Sequence, residues 1–244
     1  MKKYILCSVI ALGSLSCTDS FLEEKMVSTI TQDYFETEQG LEQLIVGTYD
    51  ALRVTKQYEQ GPSTFMSGVD NFTNKTPNRG MYSPSEWNAT GRFANWANSL
   101  CGENSKSLLG FYPIINNCNR AILSIREGKA LGKFATDAEY AARSLSEALF
   151  NRAYSVYIMS TMYGAIYVPQ GYTTELPSNY NYMRQSVPGI YSMLIGDLRY
   201  AYDHLPDVSE QNLSADFGRA TKGAAAHFLA KLYLQLSLIH ISEP

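Results

Sequence analysis

Residues 136–164 read TDAEYAARSLSEALFNRAYSVYIMSTMYG. Thr136-Asp137-Ala138-Glu139 is the signature of a capping box, in which a short polar side chain and a glutamate three residues later satisfy the first free amides of a helix. Ala141, Leu145, Ala148, Leu149 and Tyr154 follow at helical spacing, with no Gly or Pro until Gly164. The stretch predicts a long helix that ends at about Tyr163, with Gly164 as its stop. A helix this long needs partners, and the flanking sequence supplies them.

Downstream, Tyr167-Val168-Pro169 predicts an extended exit. Ser186 and Pro188 then open another helix, with Tyr191, Leu194, Ile195, Leu198 and Ala201 on its buried side and Leu205-Pro206 as its end. A last helix is expected over about 219–236, carrying Ala224, Ala225, Phe228, Leu229, Leu232 and Tyr233. Upstream, Leu41, Leu44, Ile45, Thr48, Tyr49 and Leu52 form one stripe of a helix at about 38–54. Leu108, Phe111, Ile115, Ile122 and Ile125 form another at about 105–126. The expected class is mainly α. Small alanines at regular positions fit tetratricopeptide-like helix pairs, and equally an ordinary bundle.

Between Val54 and Asn104 the helical period disappears. Gly, Pro, Asn, Ser and Thr crowd this insert, but so do Tyr58, Phe65, Phe72, Tyr82, Trp87, Phe93 and Trp96. A long irregular segment rich in rings is expected to carry function. Aromatic faces stack on the C–H face of a sugar, and amides, carboxylates and guanidinium groups take its hydroxyls. The candidate ligand residues are therefore Asp70, Asn71, Asn74, Arg79, Tyr82, Trp87, Arg92, Trp96 and Asn98. Trp87 and Trp96, the two tryptophans of the chain, are either binding platforms or buried anchors that pin the insert to the helices.

The first 17 residues read as a targeting signal. Lys2 and Lys3 precede a short apolar run from Tyr4 to Leu15, and Leu15-Ser16-Cys17 resembles a lipobox. Cys17 is the expected lipid attachment site, which would give a membrane anchor without a spanning helix; an ordinary secretory signal is the other reading. Residues 18–30 look like an extended tether. Export would place Cys101 and Cys118 in an oxidising compartment, where they either pair or stay as buried thiols.

The chain has 244 residues, 45% of them hydrophobic, with a formal net charge of −3. That supports a sizeable core and argues against a nucleic-acid partner, since no basic block stands out. There are 18 tyrosines against 10 phenylalanines, and tyrosine suits half-wet binding faces. No cluster suggests a metal or cofactor. Glu23, Glu24 and Glu103 do not form the paired-carboxylate pattern of glycoside hydrolysis. His204 sits near a helix C-terminus, and His227 reads as a packing or surface residue. No nucleophile, phosphate or dinucleotide motif appears, so a binding protein is expected and not an enzyme.

Several blocks together resemble the RagB/SusD family of surface nutrient-binding lipoproteins. They are Cys17 to Leu22, Tyr34-Phe35, Gly47 to Leu52, Phe111 to Asn119, Asn151-Arg152-Ala153-Tyr154, Tyr163 to Val168, Arg184 to Tyr191, Ile195-Gly196-Asp197-Leu198, Leu205-Pro206, and Gly218-Arg219-Ala220-Thr221-Lys222-Gly223-Ala224-Ala225 through Leu234. The family's first proline after the Tyr163-Gly164 block is absent, and Ile166 stands near it. The resemblance implies a helical scaffold with tetratricopeptide-like pairs at the cell outer membrane. It implies an oligosaccharide ligand and a SusC-like TonB-dependent transporter as partner. On it, residues 18–236 correspond to the N-terminal part of the domain, and 237–244 read as a non-native artefact tail. A tetratricopeptide-like scaffold that binds only protein, and a glycan-active enzyme, are the rival readings.

Overall fold

The structure is a computed structural model that describes residues 32–57, 110–172, 182–212, 214 and 216–242. The chain divides into a short unit, Met1–Tyr34, and one larger compact unit, Phe35–Pro244. A 3₁₀ turn at Gln32–Glu36 leads into helix α1, Glu38–Gln57. Helix α2 is Phe111–Arg126, the one-turn helix α3 is Lys133–Thr136, and α4 is Ala138–Tyr163. Helix α5, Val187–His204, is followed by a 3₁₀ turn at Val208–Glu210 and by α6, Lys222–Ser242. Among the described residues there is no strand, and one isolated antiparallel bridge joins Ile166 to Gln185.

Helix α4 is the axis of the bundle. From Ser144 to Ala153 every residue is buried. A helix with no wet face must be surrounded, and α1, α2 and α5 do this. Leu149, Val156 and Met159 are at most 1% exposed; truncating a side chain such as Leu149 to alanine would cost about 2–5 kcal/mol. The neighbours turn one stripe inward. In α1 it is Leu41, Leu44, Ile45 and Thr48; in α5 it is Ile190, Tyr191, Leu194, Leu198 and Ala201. Helix α6 lies against α5 and inserts Phe228 edge-on among Phe150, Tyr154 and Tyr157, with ring centroids 5.1–5.9 Å apart.

Helices α1 and α2 run antiparallel. The carbonyl of Glu36, ahead of α1, accepts from Leu131 N beyond the end of α2, at 2.8 Å. Further along, Thr48 meets Cys118. At the turn between α2 and α3, Gly132 has φ +69°, and a Cβ there would collide with the Glu38 carboxylate. That carboxylate accepts from Lys133 N at 2.9 Å, so the glycine lets the two helix starts close on each other.

The boundaries read from sequence hold for α5 and need correction elsewhere: α1 runs on to Gln57 and does not stop at about 54, and α2 starts at Phe111 and not at about 105. Helix α4 is capped by Asp137, whose carboxylate accepts from Glu139 N and Tyr140 N at 3.1 and 3.0 Å. Thr136, expected to cap, instead closes α3 and donates to Gly132 O. Helix α6 begins at Lys222, three residues after the expected start. Thr221 accepts from Ala224 N at 3.2 Å in the manner of a cap, which leaves Arg219 outside the helix. Gly164, with φ +71°, ends α4 as expected. Ser186 accepts from Gly189 N, and Leu205 closes α5. Helix α6 continues through Ser242, into the tail at 237–244.

Candidate functional site

The ligand residues expected from the sequence, Asp70, Asn71, Asn74, Arg79, Tyr82, Trp87, Arg92, Trp96 and Asn98, lie outside the described residues, as do Cys17 and Cys101. The structure shows the frame from which the insert departs at Gln57 and to which it returns at Phe111. Because α1 and α2 are antiparallel, both roots lie at the same end of the helix pair.

That frame is held by buried polar groups. Arg152, on the axis helix, forms a bidentate pair with Asp197 of α5. Its Nε and Nη2 donate to the carboxylate at 2.7–2.9 Å, and both side chains are under a tenth exposed. Burial pushes the Asp197 carboxyl up, and Arg152 pulls it back. Arg152 Nη1 donates to Asn119 Oδ1 at 2.9 Å. Asn119, fully buried on α2, donates in turn to the carbonyls of Pro169 and Gly171, at 2.8 and 3.1 Å. Tyr112, in the first turn of α2, donates to Tyr167 O at 2.9 Å. One network therefore fixes three helices and the extended segment after α4. Every member needs its partners, because a buried polar group left unpaired is costly.

A second network joins α1, α4 and the loop before α6. Tyr49 donates to Glu147 at 3.0 Å and accepts from Ala220 N at 3.0 Å. Arg219 reaches Glu147 at 3.1 Å and also bonds Glu42. Arg143 pairs with Asp216 at 2.9 Å, and Tyr140 donates to Glu42 at 3.1 Å. Glu147 is 1% exposed; burial raises its carboxyl, and Arg219, Tyr49 and Arg143 lower it in part.

The Cys118 thiol is buried and free, and burial pushes it up to about 12, which makes it a poor nucleophile at neutral pH. His204 lies at the end of α5 as expected; its ring stacks on Tyr200 at 4.1 Å and Nδ1 meets Tyr200 O at 2.9 Å. His227 is exposed beside Phe228. Among the described residues no group of three or more His, Cys, Asp or Glu could hold a metal ion, and no helix is long and apolar enough to cross a membrane. A groove of about 650 Å³ between the start of α4 and the end of α5 is lined by Asp137, Glu139, Arg143, Asp203, Asp207 and Lys222, a mixed-charge set.

Sequence reading did not single out Tyr167 and Tyr182 as candidates. Their rings meet edge-on at 5.4 Å across the Ile166–Gln185 bridge. The alternation in Ile166-Tyr167-Val168 was the available signal, and it is only three residues long.

The described residues form a helical bundle whose central charges pair with one another. Residues 20–234 match the family described as SusD-like, "Starch-binding associating with outer membrane", and the chain belongs to that family. It is 28% identical over 239 residues to a SusD-like protein of Bacteroides ovatus, a match that takes in 97% of this chain and 40% of the relative's length. The fold is shared with a SusD-like carbohydrate binding protein of Bacteroides fragilis, at TM-score 0.62 and 19% identity over 82% of this chain and 38% of that one. It is shared too with a SusD homolog of Bacteroides thetaiotaomicron, at TM-score 0.54 and 19% identity over 82% and 36%.

Proposed function

We propose that the protein is a surface-exposed, lipid-anchored glycan-binding protein that captures oligosaccharides and passes them to a SusC-like TonB-dependent transporter. The observation that carries this reading is the family match across residues 20–234. The chain spans about 40% of the length of the Bacteroides ovatus relative, so the activity is that of the whole protein. The anchor is the lipobox-like Cys17, whose acyl chains would each contribute ~0.8 kcal/mol per buried CH₂. The paired helices α1 and α2 fit the tetratricopeptide-like scaffold. The insert binds by stacking Trp87 or Trp96 on sugar faces, with Asp70, Asn71, Asn74, Arg79, Tyr82, Arg92 and Asn98 as hydroxyl partners. The protein binds and does not cleave.

The test is titration of the full-length protein with a panel of oligosaccharides, followed by long incubation. Saturable binding with no new reducing ends is expected, and release of reducing ends would overturn the reading. Labelled palmitate should enter the wild type and not Cys17→Ser; labelling of both would remove Cys17 as the anchor.

A further inference from the structure

The turn that leads into α6 shows its ring to solvent. Phe217 is 86% exposed, and Ala220 is the one buried residue among 216–221. A single buried methyl holds little. The turn is built from its own backbone. Arg219 N donates to Asp216 O at 3.0 Å, with Gly218 between them at φ +87°, where a side chain would be strained. Asp216 N donates to Asn212 O at 2.7 Å, and Asn212 N donates back to the Asp216 carboxylate at 3.2 Å. These bonds are internal to 212–219 and travel with the turn when it moves.

What ties the turn to the helices is charge. Asp216 pairs with Arg143 of α4 at 2.9 Å, and Arg219 reaches Glu147 of α4 at 3.1 Å and bonds Glu42 of α1. One neutral bond adds to these, from Ala220 N to the Tyr49 hydroxyl of α1 at 3.0 Å. The side chains of Arg143, Asp216, Arg219 and Glu42 are 17–30% exposed, so dissolved ions reach them; Arg152 and Asp197, under a tenth exposed, are shielded. Ion pairs within reach of solvent weaken as salt rises. A segment with little apolar burial and salt-sensitive ties belongs to the part of a fold that opens first. We propose that residues 216–220 form a charge-held latch, which salt opens while the bundle stays folded. Opening releases the chain ahead of α6 from α1 and α4, and uncovers the carboxylates of Glu42 and Glu147.

The test is residue-resolved amide hydrogen exchange on the full-length protein. Ala220 N reports the latch, because its acceptor is Tyr49, and Leu149 N, in the buried centre of α4, reports the bundle. Raising NaCl from about 0.1 M to about 1 M should speed exchange at Ala220, relative to Leu149, about three- to tenfold. Arg219→Ala should speed Ala220 about tenfold at low salt and remove most of the salt response, which loss of packing alone would not do. Asp216→Asn cuts one charge and leaves Arg219 in place; it should speed Ala220 about threefold, and keeps the test open if Arg219→Ala disturbs folding. Phe217→Ala should leave Ala220 within about twofold of the wild type, since the exposed ring holds nothing down. The latch is overturned if Ala220 and Leu149 exchange at one rate with one denaturant dependence, because the turn then opens only with the bundle. It is overturned too if salt leaves Ala220 unchanged, or if Phe217→Ala loosens the turn as much as Arg219→Ala.

Discussion

Two arginines on the central charge networks are held in opposite ways. Arg152 is 7% exposed and faces one carboxylate, Asp197, with matched forks in direct contact. Arg219 is 19% exposed and divides itself among Glu42, Glu147 and Asp216, with Arg143 sharing the last two. The first is a one-to-one pair in the interior, where loss of either member strands the other. The second is a web at the rim, where a lost member is replaced in part by a neighbour or by solvent. Position along the chain is not what separates them; the number of alternative partners is.

Breaking the pair should have the largest effect. Asp197→Ala leaves Arg152 buried and uncompensated, and should lower the unfolding free energy by about 3–5 kcal/mol in urea titration. The double change Arg152→Met/Asp197→Leu should recover most of that loss, because an apolar replacement of both members strands no charge. If the single and double variants were equally destabilised, packing and not charge would govern the site. Asn119→Ala comes next. It frees the carbonyls of Pro169 and Gly171, and should cost about 1–3 kcal/mol, with faster amide exchange along 166–171.

Arg219→Ala should cost less than Asp197→Ala, about 1–2 kcal/mol, since Glu147 keeps Tyr49 and Arg143. A loss equal to that of Asp197→Ala would erase the contrast. Glu147 sharpens it through pH. Burial holds its carboxyl above the ordinary 4.5, so the folded state keeps the proton more tightly than the unfolded chain. Its contribution to stability is complete below about that value and is lost as pH rises through the raised folded value. Relative to Glu147→Gln, the wild type should therefore lose stability as pH climbs from 4.5, followed by thermal melts across the range; a flat difference would mean the web fully offsets burial. The smallest effect belongs to the exposed pair of Arg53 and Asp50, where Arg53→Ala should change stability by no more than about 0.5 kcal/mol.

Helix positions were legible because burial imposes a period on apolar residues. Gly164, Ser186 and Leu205-Pro206 marked real ends because each acts through its own backbone or hydroxyl. Thr136 misled because Asp137 beside it is an equally good cap, and the choice depends on α3, whose single turn gives no periodic signal. Arg219 misled because its tie to Glu147 joins residues far apart in the chain. The pairing of Arg152 with Asp197 was invisible for the same reason, although both residues stood in the motifs that carried the family resemblance, as did Asn119 and Arg219. Those motifs mark the internal polar frame, and the sugar-facing candidates came instead from the composition of the insert. Tyr167 and Tyr182 escaped notice because neither a three-residue alternation nor a ring pair across a bridge leaves a pattern long enough to count.

The thiol of Cys118, fully buried on α2 with Thr48 of α1 and Arg152 of α4 near it, has a practical consequence. In a variant whose other cysteines are serines, an alkylating reagent can reach sulfur only when the helices packed around it part. The labelling rate then becomes a clock for that local opening, and its dependence on denaturant tells whether this part of the bundle opens alone or only when the whole bundle unfolds.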